Sequence, residues 1–310
     1  VLCATVAAAC LKPIRRPLHG IARLPGRDTL LCGTTAGQGV LQNDAKALNR
    51  YCNVDQSDSS NTLYKLSVRE IMSNNAEATT SNIWEHTTAS CSLGSISIDR
   101  VVDLERMTLP SSILLPTACE DELRGLAGKM GPRIIDPETL MVSLSFNSYL
   151  VQTKNHTILV DTCCGNDKER PQRLEWHHRD GPYLNNLRAR GVEPEDIDIV
   201  LCTHLHADHV GWNTKLVDGE WIPTFPNAQY LFTDKEYQHW VHQQVASDLK
   251  INYGSFGDSV LPVVESGQAN LVAPEHEIET GLYLKPAFGH TPGTVVLHIE
   301  GECGQAVICG

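Results

Sequence analysis

The sequence predicts an α/β fold, and three features of it carry that expectation. Short apolar runs rich in β-branched residues recur at 158–162, 197–202 and 229–233, each bounded by polar or turn-forming residues, as buried strands are. Stretches that read as helices lie between and after them, at 183–190 and 234–245. Ahead of all of these, apolar residues alternate with polar ones in the manner of half-buried strands.

Taken in order, the strand-like texture begins at Leu93. Ile96 and Ile98 alternate with polar neighbours and lead into Val101 and Val102. Residues 110–116, between two prolines, read as a connection, and 120–129 as a short helix. Val142, Leu144, Phe146, Tyr149 and Val151 mark a long strand over 141–153, turned back by 155–157 into the strand 158–162. Residues 163–181 form a polar loop that includes the pair His177-His178, which reads as solvated more readily than as ligating. A helix over 183–190 is stopped by Gly191, and Pro194-Glu195-Asp196 leads into the strand 197–202. The strand 229–233 is followed by a helix from Asp234 through Val245, with Thr233 or Asp234 as its cap. Leu282 and Leu284 alternate ahead of Gly289, and 294–299 and 305–309 are further strands. Trp212, Trp221 and Phe225 either wall a pocket or pack into the core.

The chemistry concentrates where the strand 197–202 ends, in Thr203-His204-Leu205-His206-Ala207-Asp208-His209-Val210-Gly211. Residues two apart in extended backbone point the same way, so His204 and His206 can aim at one point. Asp208 and His209 follow where the chain turns and can reach a second point nearby. Neutral imidazoles and a carboxylate are zinc-type ligands. Packing explains them poorly, because burying so many polar groups without partners costs several kcal/mol.

The pattern His204-x-His206-x-Asp208-His209 resembles the signature of the metallo-β-lactamase-fold hydrolases. Three further segments agree in order: the strand 158–162 ending in Asp161-Thr162, the Gly289-His290-Thr291-Pro292-Gly293 loop, and the strand 306–309. The resemblance covers roughly residues 93–310. It implies an α+β four-layer αββα sandwich carrying two Zn²⁺ ions. The first would be held by His204, His206 and His290, and the second by Asp208 and His209. It further implies a metal-activated hydroxide attacking a carbonyl or phosphoryl centre, with Asp208 as the catalytic proton carrier and Asp161 holding the motif in place. The wording of the motif and of the Asp-Thr-Cys loop is most similar to the lactonase and organophosphate-hydrolase-like branch. The implied activity is a zinc-dependent hydrolysis of small lactones or esters, such as acyl-homoserine lactones.

Bulk properties narrow the field. A chain of 310 residues exceeds the usual single-domain size, so one domain plus an extension is expected: an irregular extension over 1–92 and the hydrolase domain over 93–310. A net charge of −12 argues against a general nucleic-acid partner. No apolar stretch approaches the ~20 residues of a membrane helix, and the partner the resemblance implies is a small-molecule substrate. The eleven cysteines form no regular framework, and free thiols in a reducing, cytoplasmic compartment are favoured over disulfides.

Two expectations concern the ends. The apolar run at 1–11 has its basic residues after it rather than before it, so it reads as a truncated or non-native start rather than a signal peptide. Possible short helices lie at 43–51 and 64–72 in an otherwise Ser-, Asn- and Gly-rich segment. In the family, the strand resembling 306–309 is followed by Gly-Asp, whose aspartate bridges two metals. Gly310 is present and the aspartate is not. The sequence therefore reads as a C-terminally incomplete domain with an incomplete second metal site. The alternative to an enzyme is a truncated metal-binding remnant without catalytic activity.

Overall fold

The structure, a computed structural model, describes residues 90–246 and 251–310. The expectations for the extension, including its short helices, lie outside the described residues. The strands, in chain order, are β1 (Ser90–Leu93), β2 (Ile96–Pro110), β3 (Met141–Gln152), β4 (Thr157–Val160), β5 (Ile199–Leu201), β6 (Thr214–Val217), β7 (Glu220–Pro223), β8 (Gln229–Thr233), β9 (Ala269–Val272), β10 (Glu277–Glu279), β11 (Leu282–Pro286), β12 (Val295–Gly301) and β13 (Gly304–Ile308). The helices are α1 (Ser111–Leu114), α2 (Glu120–Met130), α3 (Tyr183–Arg188), α4 (Ala207–Val210), α5 (Asp234–Ala246) and α6 (Leu261–Glu265).

Seven strands make one sheet in the order β1-β2-β3-β4-β5-β8-β9. Its first half, β1 to β4, is an antiparallel meander. Its second half is parallel: β4 with β5, β5 with β8, and β8 with β9. Parallel neighbours need crossovers, and these supply α3 between β4 and β5 and α5 and α6 between β8 and β9. A four-stranded antiparallel sheet, β10-β11-β12-β13, faces the first.

Period-two patterning decides which side chain faces where. Ile158, Val160, Leu201 and Leu231 point between the sheets and meet Leu284, Leu297, Ile299 and Ile308 of the small sheet. Their neighbours Leu159, Val200, Tyr230 and Phe232 point the other way, against Tyr183, Leu187, Trp240 and Val263. The described residues thus stack as helices, large sheet, small sheet. Each fully buried aliphatic side chain in these two cores contributes about 1.5–3 kcal/mol. No described helix is long and apolar enough to cross a membrane.

The elements read from the sequence sit close to where it places them, while α1, α6, β1, β9 and β10 are additions, and there are three further differences. β2 runs on to Pro110, eight residues past Val102, by absorbing irregularities between Val102 and Leu104 and between Leu104 and Met107. Residues 214–223 form a separate hairpin, β6–β7, turned at Asp218 and Gly219 with positive φ at both. Trp212 and Phe225, either pocket wall or core by sequence, are core residues at 4% and 0% exposure. Trp221 instead lies against the Lys168 ammonium, 3.5 Å from its ring centroid.

Candidate metal centre

β5 is flanked on both sides by parallel strands, so the loop after it opens at the carboxyl edge of the sheet, where α/β folds place their ligands. That loop is held on three sides. Asp161 N–H donates to Leu201 O (2.8 Å), Cys202 N–H to Leu231 O (3.2 Å) and Val295 N–H to Thr203 O (3.0 Å). The chain then enters α4, a single turn that carries Asp208 and His209. Gly211 closes it against the loop after β4. A Cβ there would lie 2.0 Å from the Cys164 carbonyl, so only glycine allows Gly211 N–H to reach Cys163 O at 2.7 Å.

Three imidazoles converge at this edge. One ring nitrogen from each of His204, His206 and His290 lies within 4.8 Å of the others. His206 Nδ1 and His290 Nε2 are 2.9 Å apart. The His204 ring meets the rings of His206 and His290 edge to face, both at 4.8 Å. His204 is 1% exposed, and its Nε2 is buried without a hydrogen-bond partner. An orphaned buried ring nitrogen is costly for a protein and is what a metal ligand looks like before its metal. Burial holds the His204 imidazole well below its usual range and His206 down to about 4. His290 is lowered by burial and by His209. All three are therefore neutral at pH 7, the form that can donate a lone pair to a cation.

His209 and Asp208 sit beside this triad. The His209 ring centroid is 4.0 Å from that of His204, and its Nε2 is 3.6 Å from Asp208 Oδ2. Asp161, at the end of β4 with φ 58°, accepts from Thr203 N–H (2.7 Å) and Thr203 Oγ1. Its other oxygen lies 2.8 Å from His209 Nδ1. A carboxylate there accepts a hydrogen bond from Nδ1–H and so favours the tautomer whose lone pair is on Nε2, as such partners do for metal-binding histidines. Thr203 Oγ1, donating to Asp161, can also accept from His204 Nδ1 at 3.2 Å. That fixes the same tautomer in His204 and directs its lone pair onto the orphaned Nε2.

Beside His206 opens a cavity of about 410 Å³ lined by Gln172, Trp240, Asn252 and Tyr253. Sequence reasoning found none of these four. Asn252, at φ 51°, clamps the motif from outside: its Nδ2 donates to Leu205 O (2.7 Å) and its Oδ1 accepts from Ala207 N–H (3.0 Å). The only signal in the sequence is the residue type, since asparagine tolerates left-handed backbone better than most residues. His177 and His178 are not part of the three-imidazole cluster. His177 Nδ1 accepts from Arg170 N–H, and His178 Nδ1 contacts Asp167 O.

A two-sheet sandwich with this histidine edge defines a family of metal-centred proteins. The chain belongs to the metallo-beta-lactamase superfamily, whose model matches residues 144–310. It is similar to an N-acyl homoserine lactonase from a Bacillus species, 28% identical over 171 residues that make up 52% of this chain and 60% of that one. It is 25% identical to the N-acyl homoserine lactonase of Bacillus thuringiensis over 179 residues, 54% of this chain and 63% of the relative. The chain thus spans less than two thirds of the length of these relatives. Among solved structures it resembles the hydrolase AbOPH of the beta lactamase superfamily, with a TM-score of 0.57, 23% identity and coverage of 71% and 72% of the two chains. It also resembles the dizinc quorum-quenching lactonase AidC, with a TM-score of 0.53, 21% identity and coverage of 70% and 71%. At these identities the likeness establishes the fold.

Proposed function

We propose that the protein is a metal-dependent hydrolase of small lactones or esters, with zinc as its metal. The buried, partnerless Nε2 of His204 within the three-imidazole cluster carries this reading. His204, His206 and His290 would hold one cation, and Asp208 and His209 would contribute to a second. A divalent cation held there supplies Lewis-acid chemistry, polarising a carbonyl oxygen and activating water near neutral pH.

The chain's own groups do the rest. Asp161 and Thr203 orient His209 and His204. Asp208, partly exposed at the mouth, can take a proton from the attacking water and return it to the leaving alkoxide. The cavity beside His206 offers two aromatic faces and two side-chain amides, and its lining residues carry no full charge. That suits an uncharged ester or lactone with an apolar arm. The lactonase relatives support the same substrate class at the level of a proposal.

The test is turnover of a lactone and ester panel by zinc-loaded protein, before and after chelation. Chelator-sensitive hydrolysis restored by zinc is expected. Zinc binding with no turnover of any member would favour a metal-binding protein without catalysis, and failure to bind zinc would end the reading altogether.

A further inference from the structure

The two ligand-bearing segments meet on one buried carboxylate. Glu236, in the first turn of α5, is 1% exposed. Its Oε1 accepts from Leu205 N–H (3.1 Å) and from the Trp240 indole N–H (2.7 Å). Its Oε2 accepts from Thr291 Oγ1 (2.7 Å) and from Gly293 N–H (2.9 Å). Leu205 lies between His204 and His206, Thr291 follows His290, and Trp240 packs edge-on against the His206 ring at 5.4 Å. Every donor on this carboxylate therefore belongs to, or touches, a segment that carries a candidate ligand.

A buried carboxylate is expensive to desolvate, and hydrogen bonds to a charged acceptor are the ones that offset the cost. The arrangement is also sterically committed. A Cβ on Gly293 would lie 2.3 Å from Glu236 N, so the His290 loop rests directly on the first turn of α5. Thr233 Oγ1, one residue before the helix, donates to Gly293 O at 2.8 Å and reinforces the contact.

We infer that Glu236 is a positioning residue that sets the gap between the His204–His206 loop and the His290 loop, and thereby the affinity and geometry of the metal centre. The inference rests on the metal-centre reading above. Its chemistry is specific to a carboxylate. An amide in its place has one oxygen and one NH₂, and the NH₂ would face N–H groups that can only donate. Glu236→Gln preserves shape but must break at least one arm of the cross-link.

The experiment measures zinc affinity by competition with a chromophoric chelator, and the visible ligand-field spectrum of the Co²⁺-loaded protein, for the parent chain and for Glu236→Gln. With folding verified by circular dichroism, Glu236→Gln is expected to bind zinc about 10–100-fold more weakly and to shift the Co²⁺ bands. A merely structural residue would lower the denaturation midpoint and leave the spectrum of the folded fraction unchanged. Zinc affinity within twofold of the parent, with an unchanged Co²⁺ spectrum, overturns the inference while leaving the metal centre standing. A parent chain that binds no metal overturns both. If Glu236→Gln does not fold, Thr291→Val removes one donor from Oε2 without burying a new polar group. It is expected to weaken zinc binding several-fold, and parent-like affinity there counts equally against the inference.

Discussion

His206 Nδ1 and His290 Nε2 lie 2.9 Å apart although 84 residues separate them in the chain. Two neutral imidazoles can share one hydrogen bond at this distance, and a small adjustment of the rings would let both donate lone pairs to one cation. His206→Ala and His290→Ala are each expected to abolish the rise in thermal midpoint that zinc gives the parent, because a ligand stabilises only the state that binds it. Thermal scans with and without zinc measure this. A zinc-induced rise as large in His290→Ala as in the parent would remove His290 from the ligand set.

The close approach of Gly211 to Cys164 makes a second prediction. With a Cβ only 2.0 Å from the Cys164 carbonyl carbon and oxygen, Gly211→Ala must push apart the loop after β4 and the helical turn that carries His209. Overpacking of this kind costs about 1–3 kcal/mol, and the shift should also loosen the contact of Asp161 with His209. A urea midpoint for Gly211→Ala indistinguishable from the parent's would show that these backbones separate freely.

A third prediction concerns pH. Lys168 is fully buried, with Nζ 2.7 Å from Thr214 Oγ1 and 3.7 Å from Asp258 Oδ1. Burial pushes the lysine down to about 7, against the pull of Asp258. Burial pushes the Asp258 carboxyl up, but the Arg170 hydrogen bonds and the Lys168 charge outweigh it and hold the group below its usual range. In the unfolded chain a lysine titrates near 10.4. Between about 7 and that value the unfolded chain holds more of this proton, so stability rises with pH by up to about 1.4 kcal/mol per unit. The Trp221 face stabilises the cation and moves the lower edge of the window upward without changing its sign. Lys168→Met should therefore be most advantaged at pH 7, with the parent regaining ground by pH 9. A midpoint difference that stays constant across that range would contradict this. The Asp258 contribution has the same sense in a more acidic window: present above the unfolded carboxylate range, it is lost as the pH falls.

The parts of the site that could be read from sequence are those whose chemistry is local. Four potential ligands in six residues after an apolar strand announce themselves, and the runs that form β4, β5 and β8 carry their period in the residues themselves. His290 was legible through its loop motif and its order relative to the others. Glu236 and Asn252 were not, because their meaning lies in partners far along the chain: Leu205 is 31 residues from Glu236, and Thr291 is 55. In sequence, Glu236 is only an acidic residue in a first helical turn, a common helix-dipole feature. The β6–β7 hairpin was legible in principle, since Asp218-Gly219 is a two-residue turn signal. The aromatic residues around it drew the reading towards a pocket wall instead.

The candidate ligands also come from opposite sides of the sandwich, His204, His206 and His209 from the edge of the large sheet and His290 from the loop joining β11 to β12 of the small one. A cation held by His204, His206 and His290 would act as a clasp across two layers that otherwise meet through apolar contact and a few hydrogen bonds, such as Val295 N–H to Thr203 O. Slippage of one sheet over the other, tolerable to interleaved aliphatic side chains, changes the ligand separation at once. Metal exchange would then gauge how often the layers part, a sub-global opening that the apolar core alone would leave silent.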